Sequence, residues 1–364
     1  MTLFFFGTMS CSKQEQTSQG NEIDYTKPIL LSQMLQAELE DVDADTKSAA
    51  LISSMAGQEF AVLAYKYDMA GIGGSDGTWL TNRAQAKVNV FAGTTGGTDY
   101  NVPQVVECSD GGVCTYDAIQ YWNKKMNYTF FAYYPKTIAV KTEDGSNYTS
   151  DTMGAPFIEY SVLSAPGTLK TFSEMQDVMT AYSIDRNVRD GREVNLNFQH
   201  RLFCIAVKAL NMEEEPVTIS SLMLTLDGIQ NQSVRLALDR SLADKVTAFN
   251  PKSTGSFPVI STAAEAYTVP KNEKHTVSGD NNILLIAPQA AGIATENGSE
   301  ISVSYKIGSG AEQSRTSKIR GIGSIDFEAG RKYYATMTFS QGGVFVEIKP
   351  SPRWIDEFID IEFE

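Results

Sequence analysis

Histidine is nearly absent from this 364-residue chain: His200 and His275 are the only two, far apart, and neither stands in an H-x-x-x-H spacing. That scarcity removes the common zinc ligand and the common general base. The glycine run GIGGSDG at 71–77 carries no lysine in a phosphate-binding frame and reads as a flexible loop, and Gly308-Ser309-Gly310 lacks the spacing of a nucleophile elbow. Basic residues are also outnumbered, 30 Lys and Arg against 44 Asp and Glu, and the resulting net charge of −14 repels a phosphate backbone. The densest basic stretches, 186–192 and 315–320, are short and interrupted, so nucleic acid is excluded as a partner. Glu213-Glu214-Glu215 reads as a solvated turn, and the acidic run Glu38, Glu40, Asp41, Asp43 and Asp45 lacks the glycine and closing glutamate of an EF-hand loop. No catalytic residue, metal or cofactor is assigned, and the chain is read as a non-enzyme.

Long apolar runs are missing too; nothing approaches the ~18 residues that a spanning helix needs. The short run Leu3 to Phe6 stands directly before small residues and Cys11, and a polar stretch SKQEQTSQGNE follows. This order is that of a signal-peptide tail and a bacterial lipobox over residues 1–11, with Cys11 acylated and residues 12–27 a polar tether. The missing basic n-region places the start codon upstream of Met1.

Cysteines number only four. Cys108 and Cys114 bracket Ser109-Asp110-Gly111-Gly112, a turn sequence able to return one strand to disulfide distance of another, and neither has the neighbouring Cys or His that a metal pair wants. Cys204, within LFCIAV, reads as an inert core thiol.

What the chain has in quantity is short β-like runs punctuated by Gly, Asn, Asp and Pro. Residues 60–67, 87–93, 128–135, 194–210, 217–226, 282–289, 301–307, 333–339 and 344–350 have strand length and composition. Val194, Leu196 and Phe198 alternate with Asn195, Asn197 and Gln199, so one face is buried and the other wet. The pattern predicts an all-β protein of two tandem antiparallel β-sandwich domains with few short helices. Helix-like spacing appears only at 29–50, through Leu30, Leu31, Met34, Leu35 and Leu39, and at 172–183. The charged linker DRNVRDGRE places the boundary between domains 28–190 and 191–364.

Aromatic residues crowd between Tyr116 and Tyr134. Tyr121 and Trp122 are candidate contacts for a surface glycan; alternation equally lets Trp122 and the FFAYY rings fill a core.

The segment YDAIQYWNKKMNYTFFAYYPKT (116–137) resembles the fimbrillin pattern of an aromatic pair, a polar turn and a strand ending in F-x-A-Y-x-P. FAVLAYKYD stands upstream of it, and DVMTAYS, VNLNFQHRLFCIAVKA, LLIAPQ and the closing GRKYYATMTFSQGGVFVEIKPSPRW follow in fimbrillin order. The resemblance covers roughly residues 29–360. It implies transthyretin-like sandwich domains, a lipoprotein exported to the outer membrane and cell surface of Bacteroides-type bacteria, and a place as stalk, anchor or tip of a fimbrium. Its partners would be other fimbrial subunits or further copies of itself, and a host or bacterial surface receptor or glycan. Such subunits assemble by strand addition: an N-terminal strand is cut away and a neighbour's C-terminal strand takes its groove.

This chain departs from that pattern in having no arginine before Arg83, which leaves Lys47 as the candidate processing site. The resemblance puts the first strand within 29–39, where local spacing is helix-like. At the C terminus, Ile359, Ile361 and Phe363 alternate with acidic residues, a candidate donor strand that could equally close its own domain. Asp151-Thr152-Met153 resembles the D-[ST]-apolar O-glycosylation signal of this bacterial group, which makes Thr152 a candidate acceptor. The alternative function is a surface glycan-binding lipoprotein.

Overall fold

The computed structural model describes residues 23–35, 54–70, 77–87, 90, 103–110, 113–117, 119–149, 152–165, 168–171, 174–191, 193–229, 233–240, 246–248, 253–277, 283–288, 294–341 and 343–351. Among them the fold is all-β, with one α-helix, the four residues Trp79–Asn82, and three short 3-10 turns, Val188–Asp190, Ala263–Glu265 and Ile322–Ser324. The helix follows the glycine run in sequence, where no helix is expected. Gly77 permits its entry, because a Cβ there would stand 2.0 Å from the Met69 carbonyl oxygen.

Two large sheets dominate, and both are curled rather than packed as flat sandwiches. The first has seven strands in the order Leu30–Leu35, Glu193–His200, Met179–Arg186, Met126–Tyr134, Glu59–Asp68, Gln104–Cys108 and Cys114–Tyr116. Its outer strands approach until Tyr116 Oη donates to the Ile29 carbonyl at 2.7 Å, which makes a near-barrel. The second, a half-barrel, follows the order Ser253–Ile260, Val217–Ile229, Glu300–Ile307, Gln313–Arg320, Gly343–Pro350, Lys332–Ser340, Phe203–Asn211 and Lys274–Thr276, with two short strands paired off this path. The expectation of antiparallel pairing throughout is corrected: Leu30–Leu35 lies parallel to Glu193–His200, Phe203–Asn211 parallel to Lys332–Ser340, and Gln313–Arg320 meets Gly343–Pro350 in parallel.

The strand that the resemblance puts within 29–39 is present as Leu30–Leu35, and the helix-like spacing is overridden both there and at Met179–Arg186. Residues 30–35 are a strand because the open edge of Glu193–His200 offers them a ladder and an apolar interior, a tertiary gain that outweighs weak local propensity. Met179–Arg186 is a strand between two others for the same reason. Residues 23–27, read as the end of a polar tether, belong to the strand Ile23–Pro28 on Tyr121–Asn123.

The run 194–210 is two strands, broken at Arg201 and Leu202. Glu193–His200 belongs to the near-barrel and Phe203–Asn211 to the half-barrel, so the sheets change at that break. Buried Arg201 holds it, donating from Nη1 to Thr180 Oγ1 at 3.2 Å and to the Ala237 carbonyl at 3.1 Å. A four-stranded sheet of Val246–Ala248, Ser233–Ala237, Phe157–Ser161 and Val140–Lys141 draws on both halves of the chain.

The near-barrel encloses one core, containing Phe60, Trp122, Phe130, Leu196 and Phe198. Its other face packs on a second core that runs without a break through the four-stranded sheet into the half-barrel. Cys204 forms no disulfide and is buried in that second core.

Candidate functional site

The N-terminal segment completes the near-barrel. Ile23–Pro28 runs antiparallel to Tyr121–Asn123, and the Ile29 amide donates to the Gln120 carbonyl at 2.8 Å. Leu30–Leu35 then lies along Glu193–His200, with Leu31 opposite Val194 and Ser32 opposite Asn195. Ser32 Oγ donates to Asn195 Oδ1 at 2.5 Å on the outer side. Ile29 and Leu31 are buried in the barrel core with Val194, Leu196 and Phe198, while Leu30 is exposed. The segment therefore covers one interior wall, and among the described residues Leu30–Leu35 has a strand neighbour on one side only.

At the opposite edge, Cys108 and Cys114 face each other in register and are joined by a disulfide, with Cα atoms 4.0 Å apart. The Cys108 amide donates to the Gln58 carbonyl at 3.0 Å, so the bridged hairpin is tied to the neighbouring strand. Its tip carries exposed Val113.

The aromatic crowd is structural. Phe130 and Phe131 point to opposite faces of the sheet and both are buried, because each face has a core. Trp122 is 1% exposed and packs edge-on against Tyr128 at 4.9 Å between ring centroids. Tyr121 is half-buried, so the pair read as a candidate glycan contact does not form an open stacking platform; the Trp122 ring is spent on the barrel core. Burial raises the Tyr128 phenol above its ordinary pKa, partly offset by the hydrogen bond from the Asn123 amide at 2.9 Å.

Thr152 is half-buried; its Oγ1 accepts from the Thr149 amide at 2.8 Å, beside exposed Met153. His200 Nδ1 lies 2.8 Å from Asp177 Oδ2, and both side chains are largely buried at the sheet change. His275 belongs to a separate surface contact with Tyr267 and Glu273. No group of three potential metal ligands occurs among the described residues. No helix among them is long and apolar enough to cross a membrane. Cys11, Lys47, Ile359, Ile361 and Phe363 lie outside the described residues, as does the acidic run from Glu38 to Asp45.

A family model described as fimbrillin-like matches residues 75–351. Among solved structures, a fimbrial protein from Bacteroides vulgatus ATCC 8482 is similar with a TM-score of 0.55 at 15% identity, over 90% of this chain and 99% of its own. The fimbrial anchor protein Mfa2 from Porphyromonas gingivalis aligns over 91% of this chain and 99% of its own at 12% identity, with a TM-score of 0.36. No curated protein matches the sequence.

Proposed function

The chain belongs to the fimbrillin-like family, which is structural and adhesive rather than enzymatic, and from that premise we propose that it is a structural or adhesive subunit of cell-surface fimbriae. In this reading it is made as a precursor anchored through a lipid on Cys11 to the outer membrane, and it joins other fimbrial subunits or its own copies by β-strand addition.

The observation that carries the reading is the one-sided strand Leu30–Leu35, which fills a wall of the near-barrel beside Val194, Leu196 and Phe198. Ile29 and Leu31 bury their side chains in that wall while Leu30 stays exposed. Such a strand is exchangeable once it is no longer tethered, and a cut at Lys47 would fall between it and the next strand, Glu59–Asp68. The vacated groove would accept an extended segment whose alternate side chains are apolar, as Ile359, Ile361 and Phe363 are.

The test is to place a sequence-specific protease site at Lys47 and follow assembly by size-exclusion chromatography before and after cleavage. Cleaved protein should form higher oligomers, and deletion of residues 357–364 should abolish them while leaving a folded monomer. A cleaved protein that stays monomeric, with a lower melting midpoint after the tail deletion, would show that the tail closes its own domain. Anchoring is tested separately: Cys11→Ser should release the protein from the membrane fraction.

A further inference from the structure

The outer face of the half-barrel is rich in hydroxyl groups, and most are matched to one another. Ser302 pairs with Thr316 at 2.9 Å, Ser304 with Ser314 at 2.9 Å, Thr225 with Ser256 at 3.0 Å and Thr218 with Thr268 at 3.0 Å. One place on this face differs. A shallow groove of about 270 Å3 is lined by Arg320, Thr336, Thr338, Phe345, Val346 and Glu347. Register brings these residues together from three strands: Thr338 stands opposite Phe345, Thr336 opposite Glu347, and Arg320 beside Glu347.

Phe345 is 53% exposed, a large ring on a sheet face where alternation would put a polar side chain. The Arg320 guanidinium lies 5.9 Å from its centroid. Neither that guanidinium nor the hydroxyls of Thr336 and Thr338 has a hydrogen-bond partner among the described residues. Next to the groove on the same face, Lys208 and Lys332 sit over the Tyr334 ring at 3.5 and 5.2 Å, and Lys349 reaches Glu347 at 3.1 Å. Lys208 and Lys332 are themselves buried, so the exposed cations at the groove are Arg320 and Lys349, the second of them paired with Glu347, on a chain whose net charge is −14.

We propose that this groove binds an acidic saccharide. An exposed aromatic ring offers a flat apolar surface to the C–H face of a sugar, and hydroxyls in fixed register match a polyol's donors and acceptors. The Arg320 guanidinium, with Lys349 at the rim, favours a carboxylated or sulfated sugar over a neutral one. A charged peptide would use the cations but has no need of the ring and the two threonines. Every contributing residue is on a strand, so the platform is preformed. The assignment rests on no part of the strand-addition reading.

The test uses the full chain in affinity electrophoresis against heparin oligosaccharides, oligogalacturonates, neutral dextran and poly-glutamate. At least one acidic saccharide should retard the protein, and dextran and poly-glutamate should not. Phe345→Ala and Phe345→Leu should each weaken the interaction about five- to tenfold, and Arg320→Gln about tenfold. Because both side chains are exposed, the melting midpoint should not move. Tyr121→Ala should change nothing. Retardation by poly-glutamate equal to that by the sugars, insensitivity to both Phe345 variants, loss with Tyr121→Ala, or no retardation by either acidic saccharide would each overturn the proposal.

Discussion

Two interior strands, one from each large sheet, follow different rules. In Met126–Tyr134, six consecutive residues from Tyr128 to Tyr133 are buried, whereas in Lys332–Ser340 burial alternates from Tyr333 onward. The first strand lies between two cores and so reads as a continuous apolar run; the second has one wet face. Even the polar member of the first run is accommodated internally, since Thr129 Oγ1 shares a 2.9 Å hydrogen bond with Tyr67 Oη. The near-barrel is therefore a wall common to both cores, while the outer face of the half-barrel is free to carry recognition.

That contrast is broken most directly by removing one ring from each sheet. Phe131→Ala opens a cavity among Tyr65, Trp79 and neighbouring rings, with Trp79 at 5.2 Å between centroids. It should cost about 3–5 kcal/mol. Phe345→Ala, on the wet face, should stay within about 0.5 kcal/mol of the parent. Urea denaturation measures both, and equal losses would mean that the two faces are not different in kind.

The disulfide gives an intermediate effect. Replacing Cys108 and Cys114 by serine should lower stability by about 2 kcal/mol, as expected for so short a closed loop. Because the bridge ties an edge hairpin rather than the shared wall, hydrogen exchange should rise first in Gln104–Cys108 and Cys114–Tyr116. Uniform acceleration across both sheets would place the hairpin in the common core instead.

How far the sequence revealed this arrangement depended on the same contrast. Alternating strands such as Glu300–Ile307 and Gly343–Pro350 were legible from their period, and the two-faced strands from their aromatic runs. Leu30–Leu35 was legible only through the fimbrillin resemblance, which puts a strand within 29–39, because its apolar residues also suit a helix and locally only the open edge of Glu193–His200 decides the matter. Gln313–Arg320 was missed since, apart from Ile319, its side chains are not buried and carry no hydrophobic signal. The sheet change at Arg201 was hidden inside an unbroken strand-like run. The groove was invisible for another reason: Arg320, Thr336, Thr338 and Phe345 lie on three strands, and only register makes them neighbours. The glycan reading consequently settled on Tyr121 and Trp122, which are adjacent in sequence, although the Trp122 ring is inside the barrel.

The smallest expected effect belongs to a polar turn where nothing apolar is covered. At residues 142–146, Asp144 Oδ1 accepts from Thr142 Oγ1 and from the Ser146 amide, the latter at 3.0 Å. Gly145 sits at φ +92° against the Arg235 side chain, and Arg235 Nη1 donates to the Glu143 carbonyl at 2.8 Å, which fastens the turn to the four-stranded sheet. Hydrogen bonds to the ionised carboxylate, chiefly from Thr142, hold the Asp144 pKa down from 3.8 to about 2. A depressed folded pKa means that this contribution is fully present above pH 3.8 and disappears as pH falls through about 2. A carboxyl NMR titration should therefore find the Asp144 midpoint near 2 rather than 3.8. Thr142→Val, which removes the main donor, should return its midpoint toward 3.8 without measurable change in global stability. An unaltered midpoint in that variant would transfer the effect to the Ser146 amide, and a parent midpoint already near 3.8 would show that the turn does not hold its carboxylate in solution.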